Sequence, residues 1–352
     1  MKIALIAPLF ISVPPKMYGG TEAVVFYLTE GLARRGHQVT LFANEFSKVT
    51  VKLDKAWGKQ LEGSQFERSN TVYKLKRLDY IFAQSNNFDV VHNHDGIMAI
   101  ALEDLCKCTM VTTWHHSFGG DIDNFSIFKE TIEQTQLVSI SDAQRQDLPQ
   151  GNFVATVYNG TIDFNQYELG RGGDYLTWLG RFDESKGSRE AIEIAQKAKV
   201  KLVLAGSIRN DDQKEYFNRY IKDKIDNKRI IFIGEADIKK KNKLMKSASA
   251  CLVPISWREP FGLVMIEAMA CGTPVIAYNR GSVPEIVEDG KNGFIVKDNS
   301  IIGAVEAVKK IKTIDRKHCR ESVKKHFSIE KMVSGYEKVY EKAIKEYKKR
   351  GK

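Results

Sequence analysis

No two cysteines in this chain sit at C-x-x-C spacing, and the five present, Cys106, Cys108, Cys251, Cys271 and Cys319, are an odd number. That pattern argues against a disulfide framework and against a thiolate zinc site. Long hydrophobic runs are lacking too: none reaches the length of a bilayer span. The opening MKIALIAPLF is too short for a signal-peptide core followed by a cleavage site, because it runs straight into Pro14, Pro15, Gly19 and Gly20. A cytoplasmic location is expected. The G-x-G-x-x-G dinucleotide fingerprint and the Walker phosphate loop are also missing, which weakens any reading as a Rossmann oxidoreductase.

What is present fits a folded chain of more than one domain. At 352 residues the sequence exceeds the size at which one hydrophobic core usually stops growing. Its 43% apolar and 28% charged residues are far from a disordered composition. Lysine and arginine number 54 against 44 acidic residues, a net charge of +10. The excess gathers in Lys239-Lys240-Lys241, in 309–325 and in the tail 345–352, all of which read as exposed helix. Such runs are first of all solvated faces; the functional reading is peripheral contact with an anionic membrane at its inner face, not nucleic acid.

Apolar runs and helical periodicity alternate along the chain. Strands are predicted at 3–10, 38–43, 89–94, 110–114, 137–140 and 153–157, with a helix over 21–35 that Gly36 ends. The interval 160–173, rich in glycine and poor in apolar residues, reads as a linker. The alternation then restarts, with strands at 175–180, 201–206, 230–234, 251–255 and 274–278 and helices at 190–198, 213–224, 239–247 and 259–270. From 301 onward only helical periodicity is evident. The fold class is therefore α/β, as two Rossmann-like doubly wound domains, 1–165 and 166–330, facing across a cleft. A C-terminal helix over 331–352 is expected to cross back toward the first domain.

In open α/β sheets ligands bind where strands end and helices begin. The segment from Pro254 to Leu263 leaves a buried strand and opens a helix. Pro260 suits a first helical turn, which would leave the amides of Phe261, Gly262 and Leu263 free at the positive end of the helix dipole, ready for a diphosphate. Glu259 and Glu267 bracket this seat. On one helix they would stand about 12 Å and about 80° apart, too far to act on a single atom but suited to the hydroxyls at the two ends of an extended ligand. Glu259 as a mere helix-start carboxylate and Glu267 as a satisfied one are the plainer alternatives. Arg181 and Lys186 place two cations at one strand end. In the first domain Gly19 and Gly20, after Tyr18, precede another helix. His92, His94, His115 and His116 lie near strand ends without metal-site spacing. No metal is expected there, and His115 is the candidate for a ligand cleft.

The run Glu259-Pro-Phe-Gly-Leu-Val-Met-Ile-Glu267, with Gly281-Ser-Val-Pro-Glu285 and Asn292-Gly293-Phe294 behind it, resembles the E-x7-E signature of the family 4 glycosyltransferases, of GT-B fold. Gly180-Arg181 with Lys186-Gly187, Tyr158-Asn159-Gly160 and Gly19-Gly20-Thr21-Glu22 fall in that family's order, so the resemblance covers nearly the whole chain. It implies a retaining, metal-independent transferase without a cofactor. Such an enzyme moves a hexose or N-acetylhexosamine from a nucleoside-diphosphate sugar, UDP ahead of GDP, to a hydroxyl of a glycan, a lipid-linked or a small-molecule acceptor. It also implies that Arg181 and Lys186 hold the diphosphate, that Glu259 and His115 serve the donor sugar, and that Glu267 binds ribose. Gly19 and Gly20 would approach the phosphates, and the backbone near Gly234 and Glu235 would hold the base. The acceptor is expected on the first domain, whose loops 44–70 and 116–130 say least. Two departures stand out: Ser282 where the family has glycine, and Ser207-Ile208-Arg209-Asn210 where it has a glycine-rich turn. A GT-B epimerase or phosphorylase would share the architecture, though the lysine signature of pyridoxal phosphate is missing. A nucleotide-sugar-binding protein without turnover is the alternative outside catalysis.

Overall fold

The computed structural model describes residues 1–17, 19–55, 71–118 and 129–349, which leaves Tyr18, most of the 44–70 and 116–130 loops and the last three residues outside the description. The chain forms two compact units: Met1–Thr161 together with the chain from Ile329 onward, and Ile162–Ser328.

In the first unit seven strands run β1 (Lys2–Ile6), β2 (Gln38–Phe42), β3 (Lys52–Asp54), β4 (Val90–Asn93), β5 (Thr109–Thr113), β6 (Gln136–Ser139) and β7 (Phe153–Thr156). They lie in the order β3-β2-β1-β4-β5-β6-β7, every pair parallel. β4 and β5 are buried along their whole length. A parallel sheet covered on both faces needs such near-continuous apolar strands. Ala4, Ile6, Val91 and Met110 pack against Leu78, Ile81 and Phe82 of the helix Thr71–Ala83. That helix also delivers Arg77, fully buried, whose Nη2 donates to the carbonyls of Ala7 and Phe42 at 2.9 Å each and whose Nη1 donates to Asp95 at 2.6 Å. The ends of β1 and β2 are thereby tied together by a charge that nothing in the sequence pattern announces.

The terminal helix Ile329–Lys349 belongs to this first unit. Its buried side chains, Ile329, Met332, Val333, Tyr336, Val339, Tyr340 and Ala343, recur at helical spacing and form one stripe. Gly31 of the helix Gly20–Arg34 makes the approach close: a Cβ there would stand 2.4 Å from Val333 Cγ2. His37 Nε2 meets Glu337 Oε1 at 2.9 Å, and Arg35 pairs with the other oxygen.

In the second unit six strands run β8 (Tyr175–Arg181), β9 (Lys201–Ser207), β10 (Ile230–Phe232), β11 (Ala250–Val253), β12 (Val275–Tyr278) and β13 (Gly293–Val296), in the parallel order β10-β9-β8-β11-β12-β13. β3 and β13 are strands that the sequence pattern did not predict; each is short and carries charged or glycine residues that dilute the apolar signal. The predicted helix 213–224 is three pieces, Asp211–Tyr216, a wider turn over Phe217–Ile221 and a tighter one over Lys222–Lys224.

The interval 160–173 is no loose joint. Gly170, Gly172 and Gly173 are packed within the second unit: a Cβ at Gly170 would lie 1.8 Å from the carbonyl of Lys246, and the Gly170 amide donates to the Cys271 carbonyl at 2.9 Å. Arg316 closes this corner by donating to the carbonyls of Gly170 and Ala248 and to Thr273 Oγ1. Arg320 likewise donates to the carbonyls of Tyr167, Ala270 and Phe164. The basic stretch 309–325 is therefore not a uniformly solvated face. No described helix is long and apolar enough to cross a membrane, and all five cysteines are buried and unpaired.

Candidate active site

The E-x7-E segment does not form one helix. The helix runs Leu263–Ala270, and Gly262 before it takes the left-handed conformation, φ +81°, that stops helical geometry from extending back to Glu259. Ser282 fixes the preceding stretch, its amide donating to the Glu259 carbonyl at 2.9 Å and its hydroxyl to the Phe261 carbonyl at 2.8 Å. Pro260 thus stands outside the first turn, and the helical spacing of the two carboxylates does not apply. The group of free amides shifts along the chain: among the described residues, the N–H groups of Gly262, Leu263 and Val264 donate to no protein acceptor, whereas Met265 bonds back to the Gly262 carbonyl at 3.0 Å. An eight-residue helix with such open N–H groups carries positive potential at its start.

Lys186 and Glu259 are in direct contact. Lys186 Nζ donates to Glu259 Oε2 at 2.7 Å, and Trp257 Nε1 donates to the same oxygen at 3.1 Å. The loops carrying them are joined through the backbone, since the Ser256 amide donates to the Ser185 carbonyl at 3.0 Å. Gly187 makes the approach possible; a Cβ there would fall 1.9 Å from the carbonyl of Pro254. Arg181 closes β8 and pairs through Nε with Asp183 at 3.2 Å.

Glu267 has partners of its own. Lys241 Nζ and Tyr167 Oη donate to its Oε1 at 2.8 and 3.1 Å. Lys241 is thus taken out of the solvated run 239–241, and neither partner was legible in the sequence. The carbonyl of Gly234, φ +75°, accepts from the Gly206 amide at 3.0 Å, and Glu235 Oε1 accepts from Arg209 Nη2 at 2.6 Å. Arg209 belongs to the stretch that departs from the family's glycine-rich turn, and it supplies a further ion pair at these strand ends.

The remaining candidates lie in the first unit. Gly19 caps the helix that Gly20 opens, and a Cβ at Gly19 would meet Pro15 Cβ at 2.6 Å and Glu22 Oε2 at 2.9 Å. His115 is half-buried just past β5, its Nε2 2.8 Å from His94 Nδ1 with one proton shared between them. His94 in turn packs tilted against His92, 3.9 Å between ring centres. His92 is fully used: Tyr340 Oη lies 2.7 Å from its Nδ1 and Thr113 Oγ1 2.8 Å from its Nε2. Burial, and then the neighbouring imidazoles, hold all three rings well below the ordinary histidine range, so they are neutral at pH 7. His116 is exposed. Among the described residues no group of three or more His, Cys, Asp or Glu side chains stands close enough to share a metal ion.

Two doubly wound parallel units with charged groups and open amides beyond the strand ends are the hallmark of GT-B glycosyltransferases, and solved structures of that fold match the whole chain. Sucrose-phosphate synthase from Thermosynechococcus elongatus matches with a TM-score of 0.82 at 20% identity, over 97% of this chain and 98% of that one. HepE from Anabaena, solved with UDP and glucose, matches at 0.74 and 17% identity, over 97% and 100%. The family described as Glycosyltransferase Family 4 matches residues 18–161, and that described as Glycosyl transferases group 1 matches residues 161–326. The chain belongs to the family 4 glycosyltransferases. A curated relative, N-acetyl-alpha-D-glucosaminyl L-malate synthase of Bacillus anthracis, is 24% identical over 94% of this chain and 96% of its own length.

Proposed function

We propose that this glycosyltransferase moves a hexose or N-acetylhexosamine from a UDP-sugar, with GDP as the alternative nucleotide, to a hydroxyl acceptor, retaining the anomeric configuration and using neither metal nor organic cofactor. The observation that carries the reading is the open amide group of Gly262, Leu263 and Val264 beside the Lys186–Glu259 pair. Three N–H groups at a helix start and an ammonium are a seat for a diphosphate. As the glycosidic bond of the donor breaks, negative charge grows on the leaving diphosphate. The amides, already oriented, stabilise it there with little reorganisation, and Lys186 adds its charge from close by. Glu259, whose Oε1 has no hydrogen-bond partner among the described residues, is suited to the sugar side of the breaking bond, and Glu267 to a ribose hydroxyl. A UDP-bound relative of the same fold supports the nucleotide class. The protein is expected to act in the cytoplasm, with the lysines of the helix Arg316–His326 that do not face the core available to an anionic membrane surface.

Calorimetric titration with UDP, GDP and their sugars in the presence of a chelator tests this reading. Binding of a uridine or guanosine nucleotide is expected, weakened about 100-fold in Lys186→Ala, the scale of losing a charge-assisted bond and its Coulomb attraction. Binding only with added divalent metal, or equal affinity in the variant, would overturn it.

A further inference from the structure

Trp257 touches both charged residues of this site, although it is only half-buried and, unlike Trp114 and Trp178, takes no part in the core. Its Nε1–H donates to Glu259 Oε2 at 3.1 Å, and the Lys186 ammonium stands 4.3 Å from its ring centre. We propose that Trp257 is a positioning residue of the donor site, an inference that rests on the donor reading above. Among the described residues Glu259 Oε2 receives two donors and Oε1 none. A diphosphate on the open amides attracts the Lys186 ammonium toward itself, and the indole N–H is then the protein's remaining donor to Oε2. It keeps the carboxylate turned with Oε1 outward while the lysine changes partner. The indole face meanwhile holds the ammonium by its quadrupole in either arrangement, so the lysine need not return to water between them. The loop is stiff enough to act this way: Ser256 is bonded through its amide to Ser185 at 3.0 Å and through its hydroxyl to the Glu184 carbonyl at 3.2 Å.

The test compares Trp257→Phe, which keeps a ring and loses the N–H, with Trp257→Leu, which loses both. UDP and GDP binding is measured by calorimetry, and nucleotide release is measured from UDP-glucose, UDP-N-acetylglucosamine and GDP-mannose. Trp257→Phe is expected to lower turnover about tenfold with nucleotide affinity kept within about twofold, and Trp257→Leu to weaken affinity as well, by about fivefold. Alongside, the indole N–H resonance of Trp257 in the wild-type chain, assigned by its loss in Trp257→Phe or Trp257→Leu, is expected to move in Glu259→Gln. That measurement decides if Trp257→Phe does not fold or if none of the three sugars is turned over. Unchanged turnover in Trp257→Phe, or an indole resonance indifferent to Glu259→Gln, overturns the role of Trp257 and leaves the donor reading standing. A wild-type chain that binds neither nucleotide overturns both.

Discussion

The two sheets end in opposite chemistry. Beyond β4 and β5 the first unit holds neutral rings: His92 is hydrogen-bonded to Tyr340 and Thr113, Thr113 in turn to Tyr336, and the hydrogen-bonded pair His94–His115 packs against His92. Beyond β8 to β11 the second unit holds the ion pairs Lys186–Glu259 and Arg209–Glu235, the first of them beside amides that no acceptor among the described residues satisfies, and Lys241–Glu267 adds another on the helix those amides begin. The first arrangement is largely closed on itself: both nitrogens of His92 are satisfied inside the fold, although His94 Nε2 is buried without a hydrogen-bond partner among the described residues. The second has charges that can exchange partners and donors awaiting one. A satisfied polar network rigidifies the fold, whereas donors left without an acceptor carry a cost that a ligand can relieve. The comparison therefore divides the molecule into a part whose polar groups should be read through stability and a part whose polar groups should be read through ligand affinity and rate.

The sharpest way to break that division is Glu259→Ala. If the second unit's charges serve chemistry, turnover should fall by about 10³, the scale of removing one preorganised electrostatic group, while the melting temperature shifts little. Turnover and thermal unfolding measured on the same preparation give the answer. Loss of both in proportion would move Glu259 to the structural side and erase the contrast.

The next test falls on the first unit. Its buried imidazoles titrate below 6.5 in the folded chain, because burial penalises the charged ring. The unfolded chain takes up protons below about pH 6.5 while the folded one does not. Stability from these rings is therefore complete above that pH and drains as the pH falls, by up to about 1.4 kcal/mol per pH unit for each ring. The second unit has only His318 and His326, both exposed. Hydrogen exchange, corrected for its intrinsic pH dependence, should show β4 and β5 losing protection between pH 7 and pH 5.5 before β8 and β9 do. Tyr340→Phe, which leaves His92 Nδ1 without its partner, should open the same strands at pH 7 by about 1–3 kcal/mol. Equal loss in both sheets would show that the imidazole network is not what distinguishes them.

The sequence carried the sheets well and the site unevenly, for reasons visible at single residues. Buried parallel strands announce themselves as apolar runs, so β1, β4, β5 and β8 were legible from pattern; β3 and β13 were not, because Lys52, Asp54 and Gly293 interrupt the signal. Pattern also placed a helix start four residues early. The run Glu259–Ala270 reads as one apolar helix, and the left-handed Gly262 and the Ser282 bonds, which reach back to Phe261 and Glu259, make the break. The glycines at 170–173 look the same in sequence whether they loosen a joint or admit a carbonyl, and the Lys246 oxygen decides for the second. Pairings such as Lys241 with Glu267, or Arg77 with the ends of two strands, depend on which element lies beside which, and that information is tertiary.

Ser282 offers the finest test of the comparison, because it is a polar residue of the second unit that is satisfied in the manner of the first. Fully buried, it donates its hydroxyl to the Phe261 carbonyl and its amide to the Glu259 carbonyl. Ser282→Gly removes the hydroxyl and keeps the amide. The cost in stability should be about 1 kcal/mol, as for one neutral hydrogen bond. If the loop before Gly262 matters only as a scaffold, nucleotide affinity stays unchanged. If it sets where the open amides point, affinity falls by about two- to threefold while first-unit exchange is untouched. Calorimetry and hydrogen exchange on this one variant separate the outcomes. A change of affinity larger than that of Lys186→Ala would mean that backbone placement, rather than charge, dominates the anion seat.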